Sequence, residues 1–362
     1  MLETPCIVID RETMMHNIRR MAEQARQNGV DLRPHIKTHK IPEFAREQIK
    51  AGAKGITVAK VSEAEVMASQ GIDDIFIAYP IVVPSKIDRV IALARHHRIA
   101  VGVDSAEGAK LLARKAEEAN CRLDVRLELD TGLHRTGIPL HEATEMGRFI
   151  ASLPGLELSG IFTFRGAILQ GETTLDLAGA GREEGELMVR TAEQMRAAGV
   201  SVRHVSVGSS PTAVHAAGVK GVTEIRPGTY IFNDRMLTKM GACNREDAAA
   251  VVKVTVVSVP SPVRAVIDGG SKTFATDVQP GKPPLFLEGF GEIVGCPDAV
   301  LERMNEEHGM IACSRPHGWH VGDTLDIIPN HICSTVNLHN SVWLRDRDEW
   351  RQVPVAGRGM LS

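Results

Sequence analysis

The sequence carries no excess of charge of either sign. Lysine and arginine number 42 and aspartate and glutamate 45 over 362 residues, a formal charge of −3. That near-balance argues against a dedicated binder of nucleic acid or of an anionic membrane surface. Aromatic residues are scarce too, with nine Phe, three Trp and two Tyr, too few for the stacking platforms of a single-strand binder. A small-molecule substrate is the better expectation. No apolar run approaches the ~20 residues that span a bilayer, and the longest, Ile75 to Val83, is interrupted by Pro80. The six cysteines (Cys6, Cys121, Cys243, Cys296, Cys313 and Cys333) include no CxxC pair, which argues against a disulfide framework or a structural zinc knuckle. Each reads first as a small buried hydrophobe. The opening MLETPCIVID lacks the basic and apolar regions of a secretory signal, so the expected home is cytoplasmic and reducing.

What is present is ordinary globular composition, 43% hydrophobic and 24% charged, which excludes disorder and coiled coil for the chain as a whole. The first two-thirds alternates short apolar runs with helix-patterned stretches, the pattern of parallel strands joined by crossover helices. Strands are expected at Leu32 to Ile36, Gly55 to Ala59, Ile75 to Tyr79, Ala100 to Asp104, Val125 to Asp130, Leu158 to Phe164, His204 to Gly208 and Glu224 to Ile231. Eight such strands count out to an α/β fold, a (β/α)8 TIM-like barrel whose site lies at the carboxyl ends of the strands. A doubly wound open sheet is the alternative, disfavoured because no GxGxxG follows an early strand. After about residue 240 the helices cease and β-branched runs take over, among them Val251 to Val259, Val263 to Ile267, Leu285 to Leu287, Glu292 to Val294, Thr324 to Ile328 and Thr335 to Val336. The expected division is a barrel over 11–240 and a C-terminal all-β domain over 241–362, joined by an opening strand within 1–10.

Four segments can carry chemistry at the barrel mouth. PHIKTHK gathers Arg33, His35, Lys37, His39 and Lys40 around the end of the first strand. There Lys37, crowded by other cations and partly desolvated, could act as an amine nucleophile toward a carbonyl. The bland reading is a solvated basic loop. In DTGLHRTG, Arg135 could hold an anionic oxygen of a cofactor or form a surface ion pair. VGSSPTA turns through Gly208, Ser209 and Ser210 into a helix, and EIRPGTY sets Gly228 and Thr229 beside the eighth strand. Small-residue turns after strands seven and eight are a common phosphate cradle in such barrels. In the β domain, NHICSTVN sets His331 and Cys333 two residues apart, a spacing that shares one face of a strand and could grip one metal. Imidazole with thiolate favours zinc and leaves open positions; a buried Cys beside a hydrogen-bonding His is the alternative. His308, in Glu307-His308-Gly309, is a possible third member or proton carrier. Asp268-Gly269-Gly270-Ser271-Lys272 is expected to form a tight turn.

Taken together and in this order, PHIKTHK, DTGLHRTG, RPGTY and NHICSTVN resemble the fold-type III pyridoxal-phosphate enzymes of the D-threonine aldolase and D-serine dehydratase family, over essentially the whole chain. The resemblance implies a barrel of alanine racemase type, a C-terminal β domain and a homodimer. It implies pyridoxal 5'-phosphate carried on Lys37, with Arg135 at its phenolic oxygen, Arg226 beside its pyridine ring, and Gly208, Ser209, Gly228 and Thr229 at its phosphate. It also implies a divalent metal, zinc or manganese, on His331 and Cys333. The substrate would be a small D-configured β-hydroxy-α-amino acid. Racemisation is disfavoured: the two-base reaction needs a tyrosine from the β domain, and the only tyrosines are Tyr79 and Tyr230. Within the family, aldolases pair His with Asp at the metal and dehydratases pair His with Cys. FTFRGAILQG, by contrast, resembles the aldolase branch. The reading favours retro-aldol cleavage to glycine and an aldehyde, with dehydration to pyruvate and ammonia as alternative. A β-hydroxyaspartate aldolase, a non-catalytic pyridoxal-phosphate carrier and a metal-only barrel hydrolase stand further back; the carrier leaves the β domain without a role, and the hydrolase leaves Lys37 idle.

Overall fold

The computed structural model describes residues 2–362. The described residues form two compact units: one of residues 2–18, 38–41 and 229–358, the other of residues 19–37, 42–228 and 359–362. It opens with β1 (Cys6–Asp10), and the Asp10 carboxylate accepts from the Thr13 amide at 2.8 Å to start α1 (Arg11–Gln27), the usual N-terminal device of a helix.

The second unit then alternates strand and helix: β2 (Asp31–Leu32), α2 (Pro42–Lys50), β3 (Ile56–Val58), α3 (Val61–Ser69), β4 (Asp74–Pro80), α4 (Pro84–Ala94), β5 (Arg98–Val103), α5 (Ala106–Glu118), β6 (Leu123–Asp130), the short β7 (Ile138–Pro139), α6 (Ala143–Ser152) and β8 (Leu156–Phe162). A small hairpin follows, β9 (Ile168–Leu169) with β10 (Glu172–Thr173), and then α7 (Leu177–Ala197), β11 (His204–Val207), α8 (Ala213–Ala217) and β12 (Glu224–Ile225). Eight strands pair in parallel in the order β2-β12-β11-β8-β6-β5-β4-β3. The ring closes where His35 bridges Thr57, with the Thr57 amide donating to the Pro34 carbonyl and the Lys54 amide to the Leu32 carbonyl, both at 2.8 Å. The result is a (β/α)8 barrel.

The first and last barrel strands fall furthest short of their apolar runs. The first is regular only to Leu32 because Pro34 has no N–H for the ladder, and residues 36–38 tighten into a 3-10 turn. The last stops at Ile225 because Pro227 and Gly228 break it, and Thr229–Ile231 is a 3-10 turn instead.

In the other unit, α9 (Arg235–Lys239) leads to β13 (Ala250–Ser261), β14 (Arg264–Ile267), β15 (Gly291–Ile293), β16 (Ala299–Met304), β17 (Gly309–Cys313), β18 (Thr324–Pro329), α10 (Ile332–Val336), β19 (Ser341–Asp346) and β20 (Glu349–Pro354). Six antiparallel strands close a barrel of their own, β13-β14-β17-β16-β15-β18 and back to β13. Along β13 Ala250, Val252, Val254 and Val256 are buried in alternation, the period-two pattern of a sheet with one buried face. The opening strand β1 lies antiparallel to β13 and parallel to β19. Two sequence expectations fail here. Leu285 to Leu287 is irregular, and Thr335 to Val336 lies in the helix α10. Four strands, β16, β17, β19 and β20, were not anticipated: charged residues interrupt the apolar pattern of β16, β19 and β20, and the five residues of β17 are too few to define one. Among the described residues no helix is long and apolar enough to cross a membrane.

Candidate active site

In the barrel unit the basic cluster resolves into distinct roles. Arg33 is buried and bonds the Glu224 carboxylate at 2.7 Å and Asp74 besides. His39, in the other unit, is fully buried and accepts from the Ile41 amide at 3.0 Å, and there too the Lys40 ammonium donates to Asn337 at 2.8 Å. Ile36 packs into the core with no exposure, which leaves Lys37 half-buried in the 3-10 turn just past the first strand. Its Nζ lies 5.2 Å from the centre of the Phe164 ring, and the guanidinium carbon of Arg135 lies 5.0 Å from the same centre. The geometry therefore gathers a primary amine and a cation at one aromatic platform at the carboxyl end of the barrel strands.

Behind the platform, Arg226 is buried on the segment leaving β12. Its two terminal nitrogens donate to the Ser206 hydroxyl and the Thr163 carbonyl. Burial pulls its pKa down to about 10, against the opposing charges of Glu224 and Glu184, so it remains a cation at neutral pH. The turn after β11 is braced from inside. The Glu184 carboxylate of α7, fully buried, accepts from the Gly208 amide at 3.3 Å and from the Thr212 hydroxyl at 3.4 Å. The Ser209 hydroxyl pairs with Thr212 at 2.9 Å. Gly208 has a φ of +86° and a Cβ there would stand 3.1 Å from the Ala213 Cα, so only glycine suits this turn. Gly228, on the next strand's exit, donates its amide to the Ser210 hydroxyl at 3.1 Å. Burial pushes the Glu184 carboxyl up to about 7, with the Gly208 amide and the Arg226 and Arg165 charges opposing it. Sequence reasoning missed Glu184, Thr163 and the platform role of Phe164; one acidic residue among several in an amphipathic helix gives no signal.

In the β unit, His331 and Cys333 do sit together, but on a helix start instead of a strand. His331 is the residue before α10 and Cys333 lies in its first turn. A run of five residues is too short for period 2 and period 3.6 to be told apart. The buried Asp234 accepts from the Ile332 amide at 3.1 Å and the Leu237 amide at 2.9 Å, pinning the start of α10 to the start of α9. The Asp277 carboxylate meets His331 Nδ1 at 2.5 Å and takes a bond from the Ser334 hydroxyl at 2.9 Å. Two threonine hydroxyls reach the Cys333 sulfur, Thr38 at 3.1 Å and Thr229 at 3.2 Å. Burial alone would lower the His331 pKa, but Cys333 and Asp277 more than reverse it, to about 11. Burial likewise raises the Cys333 thiol, and the His331 charge overcomes this to hold it below its usual value. The His331 imidazole thus stands between the Cys333 sulfur and the Asp277 carboxylate.

His308 lies in the exposed turn between β16 and β17, next to Glu306 and Glu307, which pair with Lys272. Among the described residues no third His, Cys, Asp or Glu makes a metal-holding group with His331 and Cys333. Asp277 and Thr38 had not been singled out from the sequence.

Both sets of residues fit the groups that the fold implies. Lys37, Arg135 and Phe164 offer an amine, a cation and a flat apolar ring to an aromatic aldehyde. A soft–borderline pair, with Asp277 fixing the imidazole through Nδ1, is the donor set of an open zinc-type site.

Residues 9–236 match the family model of the alanine racemase N-terminal domain, and residues 249–344 match that of a serine dehydratase domain. The chain is 34% identical over 353 residues to the D-threo-3-hydroxyaspartate dehydratase of Delftia sp. strain HT23, covering 92% of each chain. It is 30% identical to the D-threonine aldolase of an Arthrobacter species, covering 99% of this chain and 93% of that one. The solved structure of the Delftia dehydratase superposes with a TM-score of 0.89 at 32% identity, over 98% of this chain and 97% of that one. The chain belongs to the fold-type III pyridoxal-phosphate enzymes, in the alanine-racemase-like family that holds the D-threonine aldolases and D-serine dehydratases. It is accordingly a pyridoxal-phosphate-dependent lyase of a D-amino-acid lyase family.

Proposed function

We propose that the protein is a pyridoxal-phosphate- and divalent-metal-dependent lyase that dehydrates a D-configured β-hydroxy-α-amino acid to a 2-keto acid and ammonia. The observation that carries this reading is the His331–Cys333 pair at the start of α10, with Asp277 on the imidazole. Structures of a D-threo-3-hydroxyaspartate dehydratase exist with a histidine and with a cysteine replaced by alanine, the cysteine variant being a metal-free form. A cysteine is also what distinguishes the dehydratase pattern at this position from the aldolase pattern.

When bound, pyridoxal phosphate supplies an electron sink for the substrate's α-carbon, and the metal a Lewis acid for its β-oxygen. Lys37 would hold the cofactor and, released from it, take the α-proton on Nζ. Arg135 would sit at the phenolic oxygen, and Arg226, a permanent donor, would face the ring nitrogen without surrendering a proton to it. Phe164 would cover one face of the ring and keep water from it. The small-residue turns at Gly208, Ser209, Gly228 and Thr229 would receive the phosphate, and His331 and Cys333 the metal.

Retro-aldol cleavage is the second reading, supported by residues 162–171, which resemble the aldolase branch, and by the Arthrobacter relative. Feeding D-serine, D-threonine and D-threo-3-hydroxyaspartate separately to the holoenzyme decides between them. Keto acid and ammonia are expected; glycine with an aldehyde would transfer the assignment to the aldolase. Borohydride reduction followed by peptide mapping should place the cofactor tag on Lys37, and a tag on any other lysine would defeat the assignment.

A further inference from the structure

The chain passes from one compact unit to the other between Lys37 and Thr38 and again between Gly228 and Thr229. At each crossing the residue on the barrel side is a proposed cofactor contact, and its neighbour is a threonine whose hydroxyl meets the Cys333 sulfur, at 3.1 Å for Thr38 and 3.2 Å for Thr229. Thr38 is fully buried. A sulfur held by two hydroxyls in a buried site gains two donors when it is a thiolate, the form that binds a metal.

From this we infer that Thr38 and Thr229 are positioning residues of the metal site, each donating its hydroxyl to the Cys333 thiolate and so fixing the direction in which the sulfur offers its remaining lone pair. The inference rests on the proposal that His331 and Cys333 hold the metal. It separates the roles of Thr229. Its hydroxyl has one proton to give, and the sulfur takes it; any contact of this residue with the phosphate must then come from its backbone. Partners of this kind around a ligand are worth about 10–100-fold in metal affinity.

The test is zinc affinity, measured by competition with a chromophoric chelator on the full chain loaded with pyridoxal phosphate, for Thr38→Val, Thr229→Val and the matching Ser variants. Each Val variant is expected to bind zinc at least about tenfold more weakly, and each Ser variant to stay near wild type because it keeps the hydroxyl. The visible absorption of the bound cofactor reports that each variant has folded. Val variants with wild-type zinc affinity, Ser variants as weak as Val, or a Thr229→Val that loses cofactor and keeps zinc would each overturn the inference. A wild-type chain that binds no zinc at all would instead remove the metal site, and this inference with it.

Discussion

Single residues in this protein are governed by what they are buried against. Glu184 is the clearest case. It lies wholly inside α7 with its carboxylate under the Gly208 turn, and burial lifts its pKa from 4.5 to about 7. The folded state therefore binds a proton that the unfolded state has lost between pH 4.5 and 7, and stability falls as pH rises through that window, by up to about 3 kcal/mol. Glu184→Gln keeps an acceptor for the Gly208 amide and removes the titration. Its urea midpoint should gain on that of wild type from pH 5 to pH 8; a difference constant with pH would show that Glu184 does not titrate there. Lys37 was visible to sequence reading because its cationic neighbours cluster around it. Glu184 was invisible, since its importance lies in a turn 24 residues further along the chain.

Elements place these residues, and they do so through a few positions where the backbone has no room. The loop from Asp130 to Gly137 carries Arg135. Its Gly137 has a φ of +97°, and a Cβ there would stand 2.7 Å from the Asp130 amide nitrogen. Gly137→Ala must bear both a strained backbone and a clash, at a cost of about 1–3 kcal/mol or more. Gly166, with a φ of +72° and nothing within 4 Å of its Cβ position, bears only the first. Gly137→Ala should therefore lower the urea midpoint more than Gly166→Ala and weaken cofactor binding; equal effects would show that the loop gives way. At this scale the sequence was readable where strands and helices alternate. The eight barrel strands and the helices between them follow the apolar period, but α10 was read as a strand and β16 and β17 were not seen. The five residues of α10 and of β17 do not define a period, and the Glu and Arg of β16 mask one.

The whole molecule depends on ties between distant segments. Inside the barrel the Glu224 carboxylate on β12 accepts from Arg33 at 2.7 Å, from Arg126 on β6 at 2.6 Å and from the Ser206 hydroxyl on β11 at 2.5 Å. Burial would raise its pKa, but the two arginines overcome this and hold the carboxylate ionised far below its normal range. Glu224→Gln leaves the buried Arg126 guanidinium without its counter-charge and Arg33 with Asp74 alone, and loss of one partner of such a buried network costs about 3–5 kcal/mol. Equilibrium unfolding in urea should show a loss of that order, whereas a shift under about 1 kcal/mol would mean that the cations find water or another anion. Since Ser206 also bonds Arg226, the variant should disturb the cofactor's absorption band as well.

By itself the sequence determined the class of fold and the chemistry on offer. Apolar periodicity dictates strand and helix locally, and lysine, arginine, histidine and cysteine bring their reactivity with them wherever they stand. Only the tertiary structure decided which of those groups act together. Lys37 and Arg135 meet the same ring, Phe164, Asp277 reaches His331 across 54 residues, and two threonines far apart in the chain meet one sulfur. Hydrogen bonds and ion pairs of this kind depend on distances of about 3 Å, which chain closure sets and no local pattern records.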